Sequence, residues 1–115
     1  MKKLLLTLGL LLISLFAFSQ KSPCKEDICV VQFNANWNSA NDVEWVDDLS
    51  DCGIKYIDIA DDTEAQSKYE IVVVPTIIVF NGKEVKRFQA DISFAMKATR
   101  KDVQEIIDEI LMSDF

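Results

Sequence analysis

The 115-residue chain contains no histidine. That absence removes the usual general base, the commonest metal ligand and most nucleophilic dyads. Basic side chains are also in deficit: 12 Lys and Arg stand against 19 Asp and Glu, a formal net charge of −7. Nucleic acids and anionic membrane surfaces demand a basic footprint, so neither is an expected partner, and solubility accounts for the acidity. There is no internal repeat and no low-complexity linker. No apolar run is long enough to cross a bilayer either: the longest, Leu4 to Phe18, has 15 residues, against the ~20 that a spanning helix requires.

What is present begins with an address. Lys2 and Lys3 precede the apolar run, and Ala17-Phe18-Ser19 supplies small residues where a signal peptidase reads. Residues 1–19 are therefore expected to be a signal peptide, with Gln20 as the mature N-terminus and export to a periplasmic or extracellular space. Ser22-Pro23 before Cys24 makes a poor lipobox, so no membrane attachment is expected after cleavage. Losing Lys2 and Lys3 takes the formal charge from −7 to −9. Residues 20–115 are the length of one domain with one modest core.

Along that domain, Ile28 to Phe33 reads as a buried strand, and Asn34 to Asn41 as a polar turn. Val43, Trp45, Val46, Leu49 and Cys52 recur at helical spacing and end at Gly53, a helix-stop signal. Ile54 to Ile59 alternates as a second strand. Asp61 and Glu64 have the spacing of a capping box opening a short helix that reaches Tyr69. Val72 to Phe80 is the most apolar stretch, broken by Pro75-Thr76. Asn81-Gly82 predicts a hairpin into a return strand over Glu84 to Phe88. Thr99 and Asp102 start a last helix carrying the stripe Val103, Ile106, Ile107, Ile110 and Leu111. The predicted order is β-α-β-α-β-β-α, an α/β fold with a four-stranded mixed sheet flanked by helices. The first three strands are expected to be parallel and the fourth antiparallel.

Four segments in this order and spacing carry a resemblance: Val31-Gln32-Phe33-Asn34-Ala35-Asn36-Trp37, Lys68-Tyr69-Glu70-Ile71, Val74-Pro75-Thr76 and Val79-Phe80-Asn81-Gly82-Lys83. Together they resemble the thioredoxin-like superfamily over nearly the whole expected mature chain. In that family the position of Trp37-Asn38-Ser39-Ala40-Asn41 holds Trp-Cys-Gly-Pro-Cys, the redox dithiol. Here Asn38 and Asn41 replace both cysteines, and an amide has no thiolate chemistry. The resemblance places Asn38 at the start of the first helix, where asparagine is a favoured N-cap. Gln32 stands where the family has a buried, proton-shuttling aspartate, and Asn34 and Asn36 replace an aromatic and an acidic residue. A vestigial site of Trp37, Asn38, Asn41 and Gln32, without dithiol oxidoreductase activity, is the expectation.

The resemblance also implies a cis peptide at Val74-Pro75, exposing the Val74 backbone to an extended peptide. The stretch Ile92, Ser93, Phe94, Ala95, Met96 is apolar for a loop. It either packs under the last helix or lines a contact surface beside the vestigial site. Trp37, Val74, Pro75, Phe94 and Met96 are accordingly the candidate peptide-binding residues.

In an oxidising compartment Cys24, Cys29 and Cys52 invite a disulfide, with one thiol left over. Strand alternation turns Cys29 away from the helix carrying Cys52, and Cys24, in the lead-in, reaches either. A bridge involving Cys24 is favoured, with the pairing open. Asp47, Asp48 and Asp51, or Asp58, Asp61 and Asp62, offer weak calcium ligands, but a solvated acidic face is the simpler reading. No metal and no cofactor are expected. Three functions compete: a redox-inactive module binding a protein or extended peptide, a thiol–disulfide oxidoreductase or isomerase working through Cys24, Cys29 and Cys52, and a small scaffold or assembly subunit.

Overall fold

The computed structural model describes residues 21–113; the expected signal peptide and Gln20 lie outside the described residues. Strand β1 (Ile28–Asn34) is followed by two 3₁₀ segments, Asn36–Asn41 and Glu44–Asp48. Then come β2 (Gly53–Asp58), α1 (Thr63–Lys68), β3 (Thr76–Asn81), β4 (Lys83–Gln89) and α2 (Arg100–Ser113). The four strands form one mixed sheet in the order β2-β1-β3-β4.

Every residue of β1 is buried, because it is a central strand covered on both faces. Its side chains alternate between two clusters. Cys29, Val31, Phe33 and Ala35 pack with Ala65, Tyr69, Ile78 and Phe80 on the α1 face. Ile28 and Val30 pack with Val46, Ile77, Val79, Val103 and Ile107 on the α2 face. The Tyr69 ring joins the first cluster together, with its centroid 5.2 Å from Phe33 and 5.9 Å from Phe80. The stripe on α2 seats itself as its spacing dictates, with Val103, Ile107 and Ile110 buried. Its start is a reciprocal cap: the Thr99 hydroxyl accepts from the Asp102 N–H at 3.2 Å, and the Asp102 carboxylate accepts from the Thr99 N–H at 2.8 Å. Among the described residues no helix is long and apolar enough to cross a membrane.

Four expectations need correction. Strands β1 and β2 are parallel, but β3 runs antiparallel to β1. The six residues of α1 span ~9 Å, whereas a strand of this length covers ~20 Å. So short a helix does not carry the chain back to the far end of the sheet, and β3 starts near the end where β2 finished. Second, Val43 to Cys52 is not an α-helix but an extended Val43 leading into a 3₁₀ segment. Val, Ser and Asp disfavour helix interiors, and Asp51 would have met the negative end of a helix dipole. Third, Asp51 takes the left-handed turn (φ 64°), and Gly53 is already in β2. Fourth, Asp62 rather than Asp61 caps α1, accepting from the Ala65 N–H at 3.1 Å.

Candidate functional site

The C-terminal end of β1 delivers Asn34, fully buried, into a group of amides. Asn34 Nδ2 donates to the Asn38 carbonyl at 3.1 Å and to the Asp42 carboxylate. Asn38 Nδ2 returns a bond to Asn34 Oδ1 at 3.1 Å, and Asn41 Nδ2 donates to Asn38 Oδ1 at 2.9 Å. Asn38 therefore does not cap a helix: it is buried inside the first 3₁₀ segment, with non-helical φ/ψ, and the preceding Ala35 makes no side-chain cap. Side chains that bond nearby backbone compete with regular helix, which is why this segment closes as a 3₁₀ turn. Gln32 supports the next residues, accepting from the Val43 N–H at 2.7 Å and donating to the Val43 carbonyl at 3.2 Å. No buried side-chain nitrogen or oxygen among the described residues is left unpaired.

Amides neither ionise nor attack. The ionisable groups touching the network are Asp42 and the Tyr56 hydroxyl, which donates to Asp42 Oδ1 at 3.3 Å. Burial, then the negative charge of Asp42 and the hydrogen bond to it, then Asp58, push the Tyr56 phenol up to about 12. The amide network as built is a structural lock on the turn after β1.

Beside the lock lies an open groove. The Val74-Pro75 peptide is cis, and Val74 and Pro75 are themselves buried. The Val74 carbonyl sits 3.5 Å from Asn38 Nδ2, a long contact. Trp37, Ile59, Gln66, Phe94 and the run Ile71 to Val74 line a cavity of ≈ 110 Å³. Trp37 meets Phe94 edge-on, with ring centroids 5.7 Å apart and planes at 87°. Both stay accessible, Trp37 at 66% and Phe94 at 40%, as does the lining residue Val72 at 77%, and Ile92 in the same turn as Phe94 is exposed. The turn holding Phe94 is organised by Asp91, whose carboxylate accepts from the Ser93 N–H (2.9 Å), the Ser93 hydroxyl and the Ala95 N–H (3.3 Å). Those bonds and Lys97 at 3.5 Å hold the Asp91 carboxyl down to about 2.

The Ile92–Met96 stretch thus divides. Ile92 and Phe94 face solvent, whereas Met96 packs against the α2-face cluster and is not part of the groove. Sequence reasoning missed Asn34 as the hub, Asp42 as its anchor and Val72 as a groove wall. The run of asparagines at 34, 36, 38 and 41 was the available signal for the first.

At the opposite pole Cys24 and Cys29 form a disulfide, and Cys52 is free. Cys29 belongs to the α1-face cluster and Cys52 packs against the α2-face cluster, so the sheet separates them. Burial and then the Asp51 carboxylate push the Cys52 thiol up, away from the thiolate. Among the described residues three metal-type donors gather within 4.8 Å at Cys24, Glu26 and Cys29, but the two sulfurs are engaged with each other. The aspartates considered for calcium are not so gathered. Asp58 accepts from the Asn36 and Ala60 N–H groups, and Asp62 caps α1.

No protein-family model and no curated protein matches the sequence. Solved structures do. A mutant thioredoxin from Halobacterium salinarum aligns with a TM-score of 0.57 at 20% identity, over 72% of this chain and 74% of that one. Fasciola hepatica thioredoxin aligns with a TM-score of 0.52 at 28% identity, over 71% and 79%. Reduced Schistosoma mansoni thioredoxin pre-protein aligns with a TM-score of 0.56 at 25% identity, over 85% and 88%. The sheet order, the cis proline and these superpositions together establish a thioredoxin-like α/β fold.

Proposed function

We propose that this protein is an exported, redox-inactive thioredoxin-like module that binds an extended protein segment in the groove between Trp37 and the Val72–Val74 run. The observation that carries this reading is the exposed Trp37–Phe94 pair at the groove, with exposed Val72 in the same wall lining. Aromatic pairs of this kind are ordinarily buried, and contiguous exposed apolar surface beside a concavity is characteristic of contact sites. A volume of ≈ 110 Å³ suits one aliphatic side chain rather than a drug-sized ligand, whose sites run to ~300–1,000 Å³. The loop amides of Val72 and Val73 make no backbone hydrogen bond within the described residues, leaving donors for strand-like pairing with a bound segment. Asparagine at 38 and 41 supports the absence of dithiol chemistry there.

Chemical-shift mapping of the labelled protein with unfolded peptides tests the binding. Shifts centred on Trp37, Val72, Val74 and Phe94, lost in Trp37→Ala, support it; shifts elsewhere favour a scaffold acting through another face. An insulin-reduction assay with dithiothreitol tests the redox half, for which no turnover above background is expected.

A second reading rests on the Cys24–Cys29 disulfide, which is a substrate for thiol–disulfide exchange at the far pole. It predicts insulin turnover that vanishes in Cys24→Ser and is indifferent to Trp37→Ala.

A further inference from the structure

At the pole opposite the groove, two sulfurs and a carboxylate share one small volume. The ligand atoms of Cys24, Glu26 and Cys29 all lie within 4.8 Å of one another. Cys29 is fixed from both sides, because β1 pairs it with Gly53 of β2 and with Phe80 of β3. Glu26 reaches over Gly53, where a Cβ would fall 2.6 Å from its carboxyl carbon and from Oε2. The bare glycine backbone is what admits the carboxylate there.

The lead-in holds Cys24 in place independently of its bridge. The Cys24 N–H donates to Ser22 Oγ at 3.2 Å, and the Ser22 N–H donates to the Gly82 carbonyl at 2.9 Å. Lys55 Nζ donates to the Pro23 carbonyl at 3.4 Å, and Cys24 itself packs against the α1-face cluster. Reduction therefore frees two thiols without dispersing the three donors. With the Cα atoms 6.2 Å apart, side-chain rotation lets the sulfurs part to the separation of about 3.8 Å that tetrahedral zinc sets between two thiolates.

We propose that Cys24, Cys29 and Glu26 form a redox-gated site for Zn²⁺. Two thiolates and one carboxylate are a borderline-soft donor set, which suits zinc and denies calcium and magnesium their oxygen shell. Cys29, fully buried, closes the site on the protein side, and exposed Glu26 opens it to solvent. Water takes the fourth position, so the ion keeps one exchangeable ligand. A dithiol reductant opens the site: it becomes a disulfide itself, and two electrons and two protons pass to Cys24 and Cys29. Zn²⁺ then displaces both thiol protons to solvent, forming two Zn–S bonds and one Zn–O bond. An oxidised dithiol runs the reverse. Each thiolate gives up one electron as the Cys24–Cys29 bond forms, the oxidant takes both electrons with two protons from solvent, and the ion leaves a site cut down to one carboxylate. The site does not depend on what the groove binds or on turnover of a disulfide substrate.

The test is isothermal titration of Zn²⁺ into the whole protein, reduced with a dithiol and desalted without oxygen, beside the disulfide form. One equivalent should bind the reduced form and none the oxidised one at the same concentrations. Co²⁺ in place of Zn²⁺ should give a thiolate-to-cobalt charge-transfer band that Cys24→Ser abolishes. Glu26→Gln should weaken Zn²⁺ binding by at least about tenfold, the lower bound for groups that merely support a zinc ligand. Cys52→Ser should change nothing. Zn²⁺ should raise the denaturation midpoint of the reduced protein and leave that of the oxidised protein in place. Equal binding by both redox forms, a cobalt band that survives Cys24→Ser, or loss of binding in Cys52→Ser overturns the site. So does a Glu26→Gln protein that holds Zn²⁺ as tightly as its parent.

Discussion

At the scale of single residues, Asn34 holds the most consequential position. It is fully buried and bonds the Asn38 backbone, the Asn38 side chain and Asp42 at once. Asn34→Ala strands those partners in a dry interior, at a cost of about 1–3 kcal/mol for an unpaired buried group. In a domain of this size the melting temperature should fall by at least about 4 °C in a thermal denaturation. Tyr56 sets a pH limit. Its folded pKa, about 12, lies above the unfolded value of about 10, so its contribution is intact below the unfolded value. It is lost as pH rises through the folded one, because the unfolded chain releases the proton first. Spectrophotometric titration should place the Tyr56 phenolate late, and Tyr56→Phe should flatten the stability decline in that alkaline window. Of these residues the sequence disclosed the chemical identity but not the wiring. Asparagine at 38 reads as a cap because capping is its commonest use, whereas the amides of Asn34 and Asn41 give it a better set of partners.

Elements show a similar division between what periodicity discloses and what lengths decide. The strands β1 and β3, the Asn81-Gly82 hairpin and the α2 stripe were legible, since each is fixed by local pattern. The direction of β3 was not, because it depends on α1 being too short to cross the sheet. The helix anticipated over 43–52 failed because apolar spacing does not outweigh Val43, Val46, Asp47, Asp48, Ser50 and Asp51, which disfavour a helix interior. The two described glycines that bear on β2 and the hairpin differ in kind. Gly82 adopts φ +78° with nothing within 4 Å of a would-be Cβ, so Gly82→Ala meets only backbone strain, at about 1–2 kcal/mol. At Gly53 a Cβ would fall 2.6 Å from the end of the Glu26 side chain, which can swing away. Chemical denaturation should therefore find Gly82→Ala the more damaging of the two.

For the molecule as a whole, the site was more legible in outline than in detail. The resemblance drew attention to Trp37 and Pro75, and the apolar loop after β4 drew it to Phe94, whose ring meets Trp37. The disulfide is a modest contributor to global stability. A bridge separated by 5 residues removes only about 2 kcal/mol of chain entropy from the unfolded state. Reduction should lower the denaturation midpoint without abolishing the cooperative transition. Cys52 should remain free by non-reducing peptide mapping, since a whole sheet stands between it and Cys29.

The same pole governs how the protein is presented to its surroundings. Lys21 bridges to Lys83, the Ser22 N–H donates to the Gly82 carbonyl at 2.9 Å, and Cys24 is bonded to Cys29. The lead-in is thus moored at the hairpin, one full length of β3 from Val74 and Pro75. A support or fusion joined ahead of Lys21 would hold the molecule like a lamp on its bracket, with the Trp37 face turned outward. Immobilisation from that side should leave the groove open to partners in solution, whereas coupling through Lys97, beside Asp91, should close it.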